Sequence, residues 1–317
     1  MNGDVNSPAE QRPANDDLEA IARSVAQAAA EHVRSRRPEL FGSSADPAAD
    51  TIPAVSTKST VPTVPTVSTK STVPTVSTKS TETDPVTVAD TETEHLIRSL
   101  LRTARPDDEV LGEEAGGSVD VPSGVRWVVD PIDGTVNFMY GVPAYAVSVA
   151  AQIDGQSVAG AVVDVARGLT YSAARGGGAY LHGADGTRIR LSCNEIDRAD
   201  LALVATGFGY EATRRRIQGE IVAGLLPRVR DIRRIGAAAL DLCMVASGAV
   251  DAHYEHGLSP WDWAAGALIA AEAGAVVHIP PPDSRSSEGY LTLATAPGIA
   301  TELVSILDEL GARDRVA

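Results

Sequence analysis

Apolar residues along this chain change their period several times, and each change marks an element. After Asn15-Asp16-Asp17, which can cap a helix, Leu18, Ile21, Ala22, Val25, Ala29 and Val33 recur at helical spacing. The spacing predicts a first helix over 15–41, limited by Pro38 and closed by Gly42. Residues 1–14 carry no such period and read as a disordered N-terminus. From 42 to 84 the pattern is lost. Ser-Thr-Lys-Ser-Thr occurs there three times, from Ser56, Ser68 and Ser77, joined by Val-Pro-Thr-Val links. Such a segment buries too little apolar surface to offset its ordering entropy, so it reads as a mobile surface loop inserted between two ordered pieces. Its Ser, Thr and Lys content leaves a docking or phosphorylation segment as an alternative.

Helical spacing returns over 91–102, with Leu96, Ile97, Leu100 and Leu101 on one face and Thr91 and Glu94 at capping-box separation. Strand-like runs follow at 127–129, 146–153, 158–165 and 170–174, and Asp154-Gly155 is a hairpin-type turn. Strands are expected at 201–206 and around 251–254. Helices are expected at 211–230, 236–248, 262–273 and 299–310. Strands and helices alternate in blocks, which predicts an α/β chain of the layered α+β kind. We divide it into a half over 85–185 and a second half over 186–317.

Composition narrows the possible partners. The net charge of −15 leaves no basic face for nucleic acid or an anionic membrane, so direct binding to either is not expected. A phosphate substrate stays open, because bound cations reverse the local sign. The two cysteines, Cys193 and Cys243, have no CxxC spacing and read as reduced, mostly buried thiols. No signal peptide is visible. The longest apolar run, 264–277, is broken by Glu272 and two glycines, so no membrane span is expected and the placement is cytoplasmic.

The chemistry concentrates in Asp130-Pro131-Ile132-Asp133-Gly134-Thr135-Val136-Asn137-Phe138, which follows the apolar run Arg126–Val129. Two carboxylates around a proline at a strand end, with a carbonyl between them, suit a hard divalent cation. The Gly-Thr that follows can open a helix whose free N–H groups bind an anion. Three more acidic elements stand out: Glu113-Glu114 in a glycine-rich turn, Asp90 at a helix start, and Tyr254-Glu255-His256 followed by Trp261-Asp262-Trp263. Taken singly, Asp90 and Asp262 read as helix caps, Glu113 and Glu114 as a solvated turn, and His253 and His256 as surface or packing residues. Gly176-Gly177-Gly178 lacks the Lys-Ser/Thr of a phosphate loop and reads as a hairpin turn.

Taken together and in this order, these elements resemble the inositol monophosphatases, within the wider group of magnesium-dependent, lithium-sensitive sugar phosphatases. The resemblance runs from about Lys79 to Glu272. Its strongest motifs are Asp130–Phe138 and Trp261-Asp262 leading to Glu272-Ala273-Gly274. Asp84-Pro85-Val86-Thr87 and the stretch from Gly141 to Ser148 look most like the actinobacterial members. The resemblance implies an αβαβα sandwich of the inositol monophosphatase and fructose-1,6-bisphosphatase type. It implies that Glu113, Asp130, the carbonyl of Ile132, Asp133 and Asp262 hold two or three Mg²⁺ ions. Asp90 and Thr135 would orient and deprotonate a water, and the N–H groups of Gly134 and Thr135 would grip phosphate. Ala238 and Glu255 would meet an inositol ring, with Asp133 and Asp262 also bordering the substrate. Lys79 falls on a lysine just before the metal site. The reaction implied is hydrolysis of inositol monophosphate, a small phosphate monoester, by a homodimer. Fructose 1,6-bisphosphate, histidinol phosphate or a 3′-phosphonucleotide are alternative substrates. A transcription-machinery binding protein and an inactive scaffold are alternatives of other kinds.

Overall fold

The computed structural model describes residues 8–41, 76–78, 85–183 and 185–316. In chain order its elements are α1 (Pro8–Phe41), β1 (Val76–Thr78), β2 (Pro85–Thr87), α2 (Val88–Ala104), β3 (Glu109–Gly112), β4 (Val125–Asp133) and α3 (Thr135–Tyr140). There follow β5 (Ala146–Ile153), β6 (Gln156–Asp164), β7 (Leu169–Ala174), β8 (Gly178–His182), β9 (Arg188–Arg190), β10 (Leu203–Thr206) and α4 (Ala212–Leu225). The last are β11 (Asp231–Arg233), α5 (Ala238–Ala246), β12 (Ala252–His256), α6 (Pro260–Glu272), β13 (Val276–His278), β14 (Leu291–Thr295) and α7 (Ala300–Glu309).

Five layers stack. The apolar stripe of α1 and one face of α2 cover the seven-stranded sheet β3-β4-β5-β6-β7-β8-β9, in a core that includes Ala22, Val25, Ile97, Trp127 and Val149. On its other face lie α5 and α6, which are apolar nearly all round because a second sheet, β11-β10-β12-β14-β13, packs against their far side. Helices α4 and α7 close that second sheet with Ile221, Leu225, Leu303 and Leu307. The chain is thus an αβαβα sandwich. The long sheet is an antiparallel meander except for the parallel β3–β4 pair. Asp154 (φ 51°) and Gly155 (φ 74°) turn the β5–β6 hairpin in left-handed backbone, the geometry that an Asp-Gly pair tolerates.

Several expectations are corrected. Helix α1 starts at Pro8 rather than Asn15, so the N-terminus expected to be disordered to residue 14 is helical from 8. Its far end falls at Phe41, as the spacing predicts, with Pro38 inside the last turns. Tertiary contacts hold that last turn: Phe41 stacks edge-on to Phe138 at 5.5 Å, and Arg37 donates Nε–H to the Phe138 carbonyl at 2.9 Å. The repeat segment is not loop throughout, because Val76–Thr78 pairs antiparallel with Pro85–Thr87. Lys79 and the first two repeat copies lie outside the described residues. Helix α2 starts at Val88, and its capping box is Thr87 with Asp90 rather than Thr91 with Glu94. Strand β9 pairs with β8, so the seven-stranded sheet runs past the division drawn at residue 185. Short strands β3, β11, β13 and β14 carry no strong alternation and were not expected from the pattern.

Candidate active site

The site forms where β4 ends. In a regular strand, residues three apart point to opposite faces. Here the register against β5 slips between Asp130 and Asp133, a bulge at Pro131-Ile132, which has no ladder N–H to lose at the proline. The slip brings both side chains to one place. One carboxylate oxygen each from Asp130, Asp133 and Asp262 lies within 4.8 Å of the others. Asp130 also accepts the N–H of Ile132 at 2.9 Å, which fixes the turn. Gly134 then sits at φ 89°, and a Cβ there would meet the Ala144 carbonyl at 3.0 Å and that of Gly236 at 3.1 Å. Only glycine makes this corner without strain.

Two helix starts deliver the other acids. Ser259 caps α6, Pro260 takes its first position, and Asp262 accepts the Ser259 N–H at 2.6 Å. Thr87 caps α2, and one oxygen of Asp90 accepts both its N–H and its hydroxyl. The other oxygen of Asp90 lies 3.0 Å from Thr135 Oγ1, which is also 3.1 Å from the Ile132 carbonyl. A hydroxyl has one proton, so these two acceptors compete for it. Asp90 and Asp262 are therefore capping residues and site residues at once, and the two readings left open by the sequence do not exclude each other.

Asp133 is buried against the start of α5, where the N–H groups of Ala238 and Ala239 donate to it at 3.2 and 2.7 Å. Asn137 ties the same region together, donating to the carbonyls of Ala144 at 2.7 Å and Ile235 at 3.0 Å. Glu113 follows β3 and faces a cavity of about 400 Å³, which Asp130, Ile132, Asp133, Gly134, Thr135, Ala238, Glu255 and Asp262 also line. Asp90 stands behind Thr135. The structure thus brings together Glu113, Asp130, Ile132, Asp133, Gly134, Thr135, Ala238, Glu255 and Asp262, with Asp90 behind Thr135, while Lys79 lies outside the described residues.

Burial raises the Asp133 carboxyl to about 7, with the charge of Glu113 adding to it, against the two α5 N–H groups and Arg234. Burial and then Asp262 raise Glu255 to about 8. A set of crowded carboxylates that burial pushes toward the protonated form is one that a divalent cation would ionise. The oxygen-only donor set of Asp130, Asp133 and Asp262 fits a hard ion of the Mg²⁺ kind, with the Ile132 carbonyl beside it.

Sequence reading missed the residues that hold these in place. Glu94 is fully buried, and its carboxylate accepts the N–H groups of Glu114 at 2.6 Å and Ala115 at 3.0 Å, beside Glu113. Arg98 pairs with Glu94 at 2.7 Å and donates to the carbonyls of Val110 and Gly116. Gly112 leaves the room, since a Cβ there would lie 2.3 Å from the Glu94 carboxylate. The i,i+4 spacing of Glu94 and Arg98 was the available signal, and it looks like any surface pair. Arg234 also lines the cavity, and Asp241 and the fully buried His253 lie beside Glu255, without having been singled out as chemistry.

The sandwich matches that of solved relatives. The profile of the inositol monophosphatase family matches residues 14–311, and the chain belongs to this family. It is 49% identical over 301 residues to the inositol-1-monophosphatase of Mycobacterium leprae, covering 93% of this chain and 95% of that one. The solved structure of Mycobacterium tuberculosis SuhB superimposes with a TM-score of 0.73 at 44% identity, covering 98% of this chain and 100% of that one. The Nus factor SuhB of Pasteurella multocida is 38% identical over 221 residues, 68% of this chain and 79% of that protein. The chain is therefore a phosphatase of the hydrolase class by family, and no helix among the described residues is long and apolar enough to cross a membrane.

Proposed function

We propose that this phosphatase is Mg²⁺-dependent and hydrolyses inositol monophosphate to myo-inositol and phosphate. The observation that carries the reading is the convergence of Asp130, Asp133 and Asp262 within 4.8 Å, next to the Thr135–Asp90 contact. Glu113, Asp130, the Ile132 carbonyl, Asp133 and Asp262 would hold the ions. Bound there, two or three Mg²⁺ would clamp the phosphoryl oxygens, screen the carboxylates and acidify a water. Thr135 would orient that water and take up its proton while passing its own to Asp90, whose second oxygen is already held by Thr87. The N–H groups of Gly134 and Thr135 would bind the phosphoryl group, so the transition state is positioned and screened rather than handled covalently. Glu255 and Ala238 would meet the polyol ring, with Asp133 and Asp262 bordering it. A homodimer, lithium sensitivity and a cytoplasmic location complete the proposal, and a monomer mass by light scattering would reject the first.

The test is phosphate release from D-myo-inositol 1-phosphate beside fructose 1,6-bisphosphate, histidinol phosphate and 3′-phosphoadenosine 5′-phosphate, with Mg²⁺ and with EDTA. Metal-dependent turnover fastest on the inositol ester supports the reading, and faster turnover elsewhere moves the substrate. The relative named Nus factor SuhB motivates a second reading, binding to the transcription machinery. A pull-down that recovers RNA polymerase equally well with Asp133→Asn would support it.

A further inference from the structure

Beside the all-oxygen cluster lies a second group of ligand-type side chains with a different donor set. Asp241 sits in the first turn of α5, and His253 and Glu255 are two apart on β12, so both point to the same face of the sheet. One ring nitrogen of His253 and one carboxylate oxygen each of Asp241 and Glu255 lie within 4.8 Å of one another. His253 and Asp241 are fully buried, and among the described residues neither ring nitrogen and neither Asp241 oxygen has a hydrogen-bond partner. His253 Nδ1 is 3.9 Å from Asp241 and Nε2 is 4.0 Å from Glu255, both beyond hydrogen-bond reach. Four buried polar atoms without a partner, grouped within one small space, are costly unless something binds them.

We propose that Asp241, His253 and Glu255 form a second cation site, for a borderline-soft transition ion such as Zn²⁺. Imidazole nitrogen with carboxylate oxygens suits zinc at about 2.0–2.2 Å from each ligand, whereas Mg²⁺ takes oxygen alone. Reaching those lengths draws the three side chains inward, and Glu255, which is only partly buried, has the freedom to move. Burial holds His253 in the neutral form that ligates metals, with its pKa pushed down to about 3. Arg234 lines the same cavity and favours charge on both Asp241 and Glu255, but it hydrogen-bonds to neither. Because Glu255 also lines the cavity, an ion held here keeps one coordination face toward whatever the cavity binds, as three-ligand zinc sites do.

The full-length protein is stripped with chelator, dialysed against excess Mg²⁺ with limiting Zn²⁺, and its zinc per chain counted by elemental mass spectrometry. Wild type is expected to retain one zinc more than His253→Phe and Asp241→Asn, and Asp133→Asn to keep that zinc. Equal zinc in wild type and both variants would overturn the site, as would zinc lost from Asp133→Asn alone. Circular dichroism checks folding. Should His253→Phe not fold, the near-isosteric Asp241→Asn decides, with Co²⁺ as a second probe: its visible absorption should appear in wild type and be absent from the variant. Because zinc is counted without turnover, the outcome is independent of which phosphate ester the enzyme takes.

Discussion

Thr135 and Asp90 carry the clearest consequence at the level of single residues. Their 3.0 Å contact is a route by which a water at the acidic corner could lose a proton to a buried base. Thr135→Ala and Asp90→Asn should each lower kcat by about 100-fold or more on the preferred ester, with smaller changes in KM. Steady-state kinetics at saturating Mg²⁺ measures this, and near wild-type kcat in both variants would remove the pair from the chemistry. Gly134→Ala should destabilise the fold by about 1–3 kcal/mol in urea unfolding, from positive φ and from close carbonyls on two sides. The carboxylates themselves were legible because they cluster in short motifs. Glu94, Asp241 and His253 were not, because what each does depends on partners that only the fold supplies.

Elements explain why the site is firm. Strand β4 ends in a bulge, α2 and α6 begin with capping boxes, and α5 offers its first N–H groups to Asp133. The loop after β3 has no such regular support and depends on Glu94. Glu94→Gln keeps the size but turns an amide donor toward the N–H groups of Glu114 and Ala115 and toward Arg98. It should raise the Mg²⁺ concentration for half-maximal activity by about 10–100-fold while leaving kcat at saturating Mg²⁺ nearly intact. An unchanged Mg²⁺ requirement would detach Glu94 from the positioning of Glu113. The long strands were readable as apolar runs, β5 from end to end. Strands such as Arg188–Arg190 and Asp231–Arg233 are three residues long and mostly charged, and only the neighbouring strand makes them β. Pro38 stands inside α1 for the converse reason: Phe41 and Arg37 are held by α3, and those contacts outweigh a local helix breaker.

Across the whole molecule, five layers press an acidic site between two sheets, and stability should depend on pH through it. Asp133 and Glu255 have folded pKa values raised to about 7 and about 8, so the folded chain binds more protons than the unfolded one between about pH 4 and those values. Stability from these groups is present at low pH and is lost as pH rises through 7 to 8. His253 has the opposite sign: depressed to about 3, it favours the folded state above the unfolded value of about 6.5, and its contribution no longer changes beyond that. The clean window is therefore pH 6.5–8.5. The melting temperature of metal-free protein should fall across it, and Mg²⁺ should remove most of the fall. A flat, Mg²⁺-independent profile would mean that burial does not raise these carboxyls in the folded state. The layered class was visible in the alternation of blocks, but not the sharing of α5 and α6 by both sheets, since helices that are apolar all round have no face to read.

The most direct test is hydrolysis of D-myo-inositol 1-phosphate by metal-stripped protein as Mg²⁺ is added back, in wild type and in Asp133→Asn. Turnover should be absent without metal, saturate with Mg²⁺, and fall by about 100-fold or more in the variant at any Mg²⁺ concentration. Turnover that survives EDTA, or a variant near wild-type rate, would contradict a metal-dependent phosphatase centred on Asp130, Asp133 and Asp262.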